Sequence, residues 1–184
     1  QQALGHPIEV IAGVEEARLI YLGVAHSMGD PGGRRLVMDI GGGSTEFIIG
    51  EGYRALRLDS LYMGCVTLTE RCFRGGKLGK GNFQEAELIA AQELEPIQNP
   101  FRKLGWTSAV GASGTIRTVS EILVGQGWSE QGVTLPALRK LRKLMLDVGQ
   151  IDKLKFKGLP EDRRAVLGAG VAILHASFEA LGIE

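Results

Sequence analysis

The chain reads as an α/β protein whose mixed sheet combines a β-meander with strand–helix units. Three observations carry that reading. Residues 35–49 (RLVMDIGGGSTEFII) are two apolar runs joined by a glycine turn, and 53–60 (YRALRLDS) alternates after them. Three strands therefore follow one another with no helix between. Residues 106–110 (WTSAV) are an apolar run ending in GASGT, and the helical pattern IRTVSEILVGQG comes next. Apolar residues make up 44% of the chain and aromatics only 6%, which suits the aliphatic core of an α/β sheet. With 184 residues the chain can bury one such core, and its length favours a single domain.

The elements follow in order. Residues 8–12 (IEVIA) read as a short strand, after which Gly13 hands over to a helix, EEARLIYLGVAH, with Ala17, Ile20, Tyr21 and Val24 at helical spacing. Residues 27–34 (SMGDPGGR) form a loop by composition. Strands over 35–40 and 45–50, joined by the glycine turn, and a third over 53–60 make the meander. Asn82 is placed to cap a helix, with Glu85 completing a capping box. Phe83, Ala86, Ala90, Leu94, Ile97 and Phe101 then mark one face, and Pro96 and Pro100 are expected to kink or divide that helix. Thr134 caps a further helix with Leu138, Leu141, Leu144 or Met145, and Val148 on one side, and Arg139, Lys140, Arg142 and Lys143 on the other. These charges read as a solvated face or a track for a polyanion. Residues 160–181 read as one helix, almost wholly apolar from Ala165, and therefore as a core helix.

Charge and composition exclude several classes. Basic and acidic residues balance at 21 each, so no global field favours DNA or a membrane surface. No apolar stretch approaches the roughly 20 residues of a membrane span, and no signal peptide is visible. Cys65 and Cys72 lack the spacing of a metal site and are expected to be reduced, in a cytoplasmic protein. His6, His26 and His175 are scattered, which disfavours zinc. The chain opens QQALGHP without an initiator methionine and stops at LGIE, so it reads as a piece of a longer protein.

Three places can carry chemistry. In the first, Asp39 ends a buried strand, and Gly41, Gly42 and Gly43 form a turn whose backbone can approach an anion. Ser44 and Thr45 add hydroxyls and Glu46 returns a carboxylate. Amides and hydroxyls flanked by two acids suit a phosphate accompanied by Mg²⁺, which takes one or two carboxylates and fills its shell with phosphate oxygens and water. No lysine follows the glycines, so this is not a Walker loop, and a strand rather than a helix follows, so it is not a dinucleotide fingerprint. The second place is Gly111–Thr115, a strand–turn–helix junction whose amides can cradle an anion, or where Ser113 or Thr115 simply caps the helix. The third is Glu15–Glu16, where acids in a first helical turn complement the helix dipole.

The blocks EVIAGVEEARLIYLGV, LVMDIGGGSTEFIIGEG, MGCVTLTERCF, VGASGTIRTV and PEDRRAVLGAGVAIL, in that order, resemble the exopolyphosphatase/guanosine pentaphosphate phosphohydrolase family. That family belongs to the actin/hexokinase superfamily, whose members bind phosphates between two ribonuclease H-like lobes. The resemblance implies that residues 1–184 are the second lobe. It implies Mg²⁺-assisted hydrolysis of the terminal phosphoanhydride of inorganic polyphosphate, or of the 5′-terminal phosphate of guanosine pentaphosphate. It implies Glu16 as general base, Asp39 as a metal-associated acid, Glu46 as a second acid orienting metal or water, Gly41, Gly42, Gly43, Ser44 and Thr45 as the phosphate hairpin, and Gly114 and Thr115 as the opposite wall. The unbroken glycines favour the exopolyphosphatase branch. A homodimer is implied for the whole protein.

The family's opening Asp-x-Gly-Ser-Asn loop, a later glycine-rich block and a C-terminal helical domain have no counterpart here, so this chain alone is expected to fold but to hydrolyse poorly or not at all. Competing readings are an ATP-dependent kinase on the same fold, a phosphate- or nucleotide-sensing module, and an actin-like assembly protein. The EEAR block disfavours the kinase, since a base beside a phosphate hairpin suits attack by water.

Overall fold

A computed structural model describes residues 5, 10–29, 32–156 and 159–184. Its elements are α1 (Gly13–Met28), β1 (Arg34–Ile40), β2 (Thr45–Glu51), β3 (Arg54–Leu61), α2 (Cys65–Cys72), α3 (Lys80–Leu104), β4 (Ser108–Gly111), α4 (Gly114–Gly125), α5 (Leu135–Val148), α6 (Glu161–Arg164) and α7 (Leu167–Leu181). The strands form one mixed sheet in the order β3-β2-β1-β4. β1, β2 and β3 run antiparallel as the expected meander, while β4 lies parallel to β1.

Strand alternation divides the two faces. Leu36, Met38, Ile40, Phe47 and Ile49 point into the main core with α3 and α7, whose facing residues are buried. Val37 and Ile48 point the other way and pack under Ala17, Tyr21, Val24 and Ala25 of α1. Tyr21 fits because position 50 is glycine: a Cβ there would lie 2.1 Å from the ring. The Tyr21 hydroxyl donates to the Gly52 carbonyl at 2.9 Å, which ties α1 to the β2–β3 turn. Asp39 and Glu46 are two residues beyond Val37 and two before Ile48, so both carboxylates share the α1 face.

Several expectations are corrected. The strand over 8–12 lies partly outside the described residues; Val10, Ile11 and Ala12 are exposed and outside any strand. Helix α3 begins at Lys80, so Asn82 sits inside its first turn, and Glu85 takes no part in the cap. Asn82 still closes the end, its Oδ1 accepting from the Gly79 N–H at 3.0 Å and its Nδ2 donating to the Cys72 carbonyl at 2.7 Å. Neither proline divides α3. Pro96 and the Gln92 carbonyl it leaves unpaired both lie on the solvent side, where water can replace the missing bond. The final apolar segment is two helices, α6 and α7, separated at Ala165–Val166. On α5, Met145 rather than Leu144 takes the buried position. The basic face of α5 is half neutralised, since Arg142 chelates Glu87 and Arg139 pairs with Glu179.

Candidate functional site

Parallel neighbours β1 and β4 both end at the same edge of the sheet, and the three candidate segments meet there. Between Ile40 and Thr45 the hairpin turns through Gly41–Ser44, with the Gly41 N–H donating to the Ser44 carbonyl at 2.9 Å. None of these glycines has positive φ. At Gly41 small size serves close approach, since a Cβ there would lie 3.1 Å from the Ser44 carbonyl oxygen, whereas a Cβ on Gly43 would meet open space. Among the described residues the Gly42, Gly43 and Ser44 amides make no hydrogen bond, so three donors remain for an anion.

The hairpin is held from behind by α2, an element the sequence pattern did not reveal. The Cys65 N–H donates to the Gly41 carbonyl at 2.9 Å, and the Val66 and Thr67 N–H groups donate to the Gly42 carbonyl at 3.0 and 3.1 Å. The hairpin carbonyls thus cap α2, and the Gly42, Gly43 and Ser44 amides take no part in that contact. Gly64 permits this: a Cβ there would lie 2.1 Å from the Gly42 carbonyl oxygen. The only earlier sign of it was the glycine in the MGCVTLTERCF block. Thr45 belongs to this brace rather than to the open mouth. It is fully buried, and its hydroxyl donates to the Met63 carbonyl.

On the α1 face the acids converge. Asp39 and Glu46 are paired across β1 and β2. Glu46 is buried and accepts a hydrogen bond from the Ser60 hydroxyl at 2.8 Å; Ser60, on β3, carried no signal in the sequence. The Ser60 side chain also touches the start of α1, where a Cβ on Gly13 would meet its Oγ at 2.4 Å. The two glutamates of α1 then differ. Glu15 is engaged by Arg18 at 2.6 and 2.9 Å, whereas the Glu16 carboxylate makes no hydrogen bond or ion pair among the described residues. Burial first, then the charges of Glu46 and Glu16, push the Asp39 carboxyl up to about 6. That is the behaviour of acids clustered without a cation. Among the described residues, no three metal-ligating side chains form a complete cluster. Asp39 and Glu46, paired across β1 and β2, carry the carboxylate oxygens that a hard cation takes as ligands.

Opposite the hairpin, Ser113 caps α4, its Oγ accepting from the Ile116 N–H at 3.3 Å, so the simpler expectation for that serine holds. Gly114 and Thr115 open the helix, leaving first-turn amides without intrahelical partners. Thr115 is buried and donates to the Cys65 sulfur at 3.7 Å, which packs the wall against α2. A cavity of about 340 Å³ lies between hairpin and wall, bordered by Gly41, Gly42, Cys65, Thr115 and Arg163. Arg163, within the PEDRRAV block, had no role assigned from sequence.

A profile of the Ppx/GppA phosphatase family matches residues 1–184. Proteins named guanosine-5′-triphosphate,3′-diphosphate pyrophosphatase from two strains of Vibrio cholerae serotype O1 are 50% identical over 183 residues, 100% of this chain and 36% of theirs. The Aquifex aeolicus Ppx/GppA crystal structure superposes with a TM-score of 0.80 at 26% identity, over 100% of this chain and 60% of that one. An exopolyphosphatase from Cytophaga hutchinsonii gives a TM-score of 0.80 at 25% identity, over 98% and 60%. The chain therefore spans about a third of the length of the curated relatives it matches. These structural neighbours share the actin-like fold expected from the sequence.

Proposed function

Because this chain belongs to the Ppx/GppA phosphatase family, we propose that the whole protein removes the 5′-terminal phosphate of guanosine pentaphosphate by water attack. The observation that carries hydrolysis is the Glu16 carboxylate, unbonded among the described residues and close enough to Asp39 for its charge to act there, next to a hairpin whose Gly42–Ser44 amides have no partner among the described residues. The observation that favours this substrate is 50% identity to pyrophosphatases acting on guanosine triphosphate diphosphate, twice the identity to the exopolyphosphatase. The expectation of an exopolyphosphatase, drawn from the unbroken Gly41–Gly43, carries less weight. That reading stays as the second one, since the same hairpin would hold a polyphosphate end.

Phosphoryl transfer asks for in-line positioning and charge neutralisation more than covalent chemistry. The Gly42, Gly43 and Ser44 amides bind the terminal phosphoryl oxygens, and the first turn of α4 binds from the other wall. Glu16 takes a proton from the water that attacks the terminal phosphorus. The bond from that phosphorus to the bridging oxygen breaks, giving orthophosphate and guanosine tetraphosphate. Glu46, fixed by Ser60, and Asp39 would hold Mg²⁺, which when bound neutralises charge on the phosphate oxygens. The free thiols of Cys65 and Cys72 support a reducing compartment, the cytoplasm, and no helix among the described residues could cross a membrane.

The experiment is phosphate release from guanosine pentaphosphate and from long-chain polyphosphate by the whole protein with Mg²⁺. A kcat/KM at least about tenfold higher for the pentaphosphate, roughly 1.4 kcal/mol of preference, is expected. The opposite ratio would make the protein an exopolyphosphatase. Turnover of neither, with ATP-dependent phosphorylation of an acceptor instead, would restore the kinase reading.

A further inference from the structure

Asp39, Glu46 and Ser60 stand in one row across β1, β2 and β3, each the register partner of the next. Register partners present their side chains on the same face, so all three lie on the side that α1 covers. Ser60 ends the row and donates to Glu46 Oε1 at 2.8 Å, while Oε2 takes no hydrogen bond among the described residues. Glu46 is 1% exposed, so little water can stand in for that hydroxyl. The same serine meets the start of α1. A Cβ on Gly13 would lie 2.7 Å from Ser60 Cβ and closer still to Oγ, so helix and strand touch with no room for one methyl group. Gly13 opens α1, and Glu16 follows in its first turn. One side chain therefore contacts an acid suited to the cation and the helix that carries the proposed base.

We propose that Ser60 is a positioning residue that sets two parts of the site together. Its hydroxyl orients Glu46 for a divalent cation, and its bulk fixes how closely α1 brings Glu16 to the acids. The inference rests on the hydrolase reading for the role of Glu16 but not for the cation, whose binding needs no turnover. A hydrogen bond behind a ligand carboxylate is worth about tenfold to a hundredfold in metal affinity. A reacting group misplaced by about an ångström costs rate that added metal does not restore. Two variants separate these duties. Ser60→Ala removes the hydroxyl and keeps Cβ against Gly13, whereas Gly13→Ala keeps the hydroxyl and forces α1 away from β3.

The test uses the whole protein: Mn²⁺ binding by calorimetry, and kcat on guanosine pentaphosphate as Mg²⁺ is raised. Ser60→Ala is expected to weaken Mn²⁺ binding about tenfold to a hundredfold and to raise the Mg²⁺ needed for half-maximal rate in step, with kcat recovering at saturating Mg²⁺. Gly13→Ala is expected to lower kcat at every Mg²⁺ concentration while Mn²⁺ binding falls less than in Ser60→Ala. Mn²⁺ affinity in Ser60→Ala equal to that of the unmodified protein would overturn the orienting role. If Ser60→Ala does not fold, Ser60→Cys, which keeps a side chain there but is a weak donor, decides by the same comparison. A Gly13→Ala kcat restored by Mg²⁺ would overturn the seating of α1. If Gly13→Ala does not fold, combining it with Ser60→Gly clears the gap: a refolded protein upholds the seating, and an unfolded one overturns it. Ser60-dependent Mn²⁺ binding without hydrolysis of either substrate would uphold the orienting role while the hydrolase reading fails. Hydrolysis with Ser60-independent Mn²⁺ binding would do the reverse.

Discussion

Glu15 and Glu16 sit side by side on one helical turn, and what each touches separates them. Arg18 holds Glu15, while Glu16 is left to act on Asp39 through its charge. Residue identity alone could not make that distinction, because acids in a first turn are ordinary; the resemblance and the geometry make it. Asp39 gives a direct electrostatic prediction. Its folded carboxyl holds a proton to about 6, above the ordinary 3.8, so in the metal-free protein this group lowers stability as pH rises through that window. Glu46→Gln removes one like charge, and an NMR titration of the Asp39 carboxyl should show its midpoint fall while burial keeps it above 3.8. An unchanged midpoint would mean that the two acids do not sense each other. Gly64 is a second residue-scale case. Gly64→Ala puts a Cβ against backbone at 2.1 Å, so the hairpin must part from α2. A cost of about 1–3 kcal/mol, or roughly 2–10 °C in melting temperature, is expected with weakened tripolyphosphate binding.

Among the elements, the meander was legible because alternation and a glycine turn leave few alternatives, and all three strands fall within a residue of their expected bounds. α2 was not legible, since CVTLTERC mixes β-branched, polar and charged residues with only Cys65, Leu68 and Cys72 buried. Its helix is fixed by tertiary bonds to the hairpin carbonyls. From sequence the α5 basic face reads as solvated or as a polyanion track, yet two of its arginines are engaged by partners on α3 and α7 that no local pattern could reveal. Glu87 is central to that junction, bonded by Arg142 and lying 3.1 Å from His175 Nδ1. Burial pushes its carboxyl up, but hydrogen bonds from His175 and Arg142 outweigh this and leave it below the ordinary 4.5. Its contribution is therefore present above 4.5 and lost as pH falls through its lower folded value. Glu87→Gln should lower stability at neutral pH by about 1–3 kcal/mol and flatten the acid limb of the melting-temperature profile. A profile parallel to that of the unmodified protein would remove Glu87 from the α3–α5–α7 junction.

For the molecule as a whole, a mixed sheet with α1 on one face and the remaining packed helices on the other places acids and amides at one edge. The acids lie on the α1 face, and the amides belong to the hairpin and α4. The sequence order of the motifs foretold this convergence only through family resemblance, because loop contacts across the sheet leave no periodic trace. The chain spans about a third of its curated relatives, and the site has a hairpin, a wall and three acids on this chain. We expect the 184-residue chain alone to release phosphate more slowly than the whole protein, measured with one substrate at equal concentration. The central claim is that these parts form a hydrolytic site with Glu16 as its base. Its most direct test is the kcat of the whole protein and of its Glu16→Gln variant on guanosine pentaphosphate, with tripolyphosphate binding measured in parallel. A fall in kcat of about 10²–10⁴ with binding retained is predicted. An undiminished kcat would contradict the account.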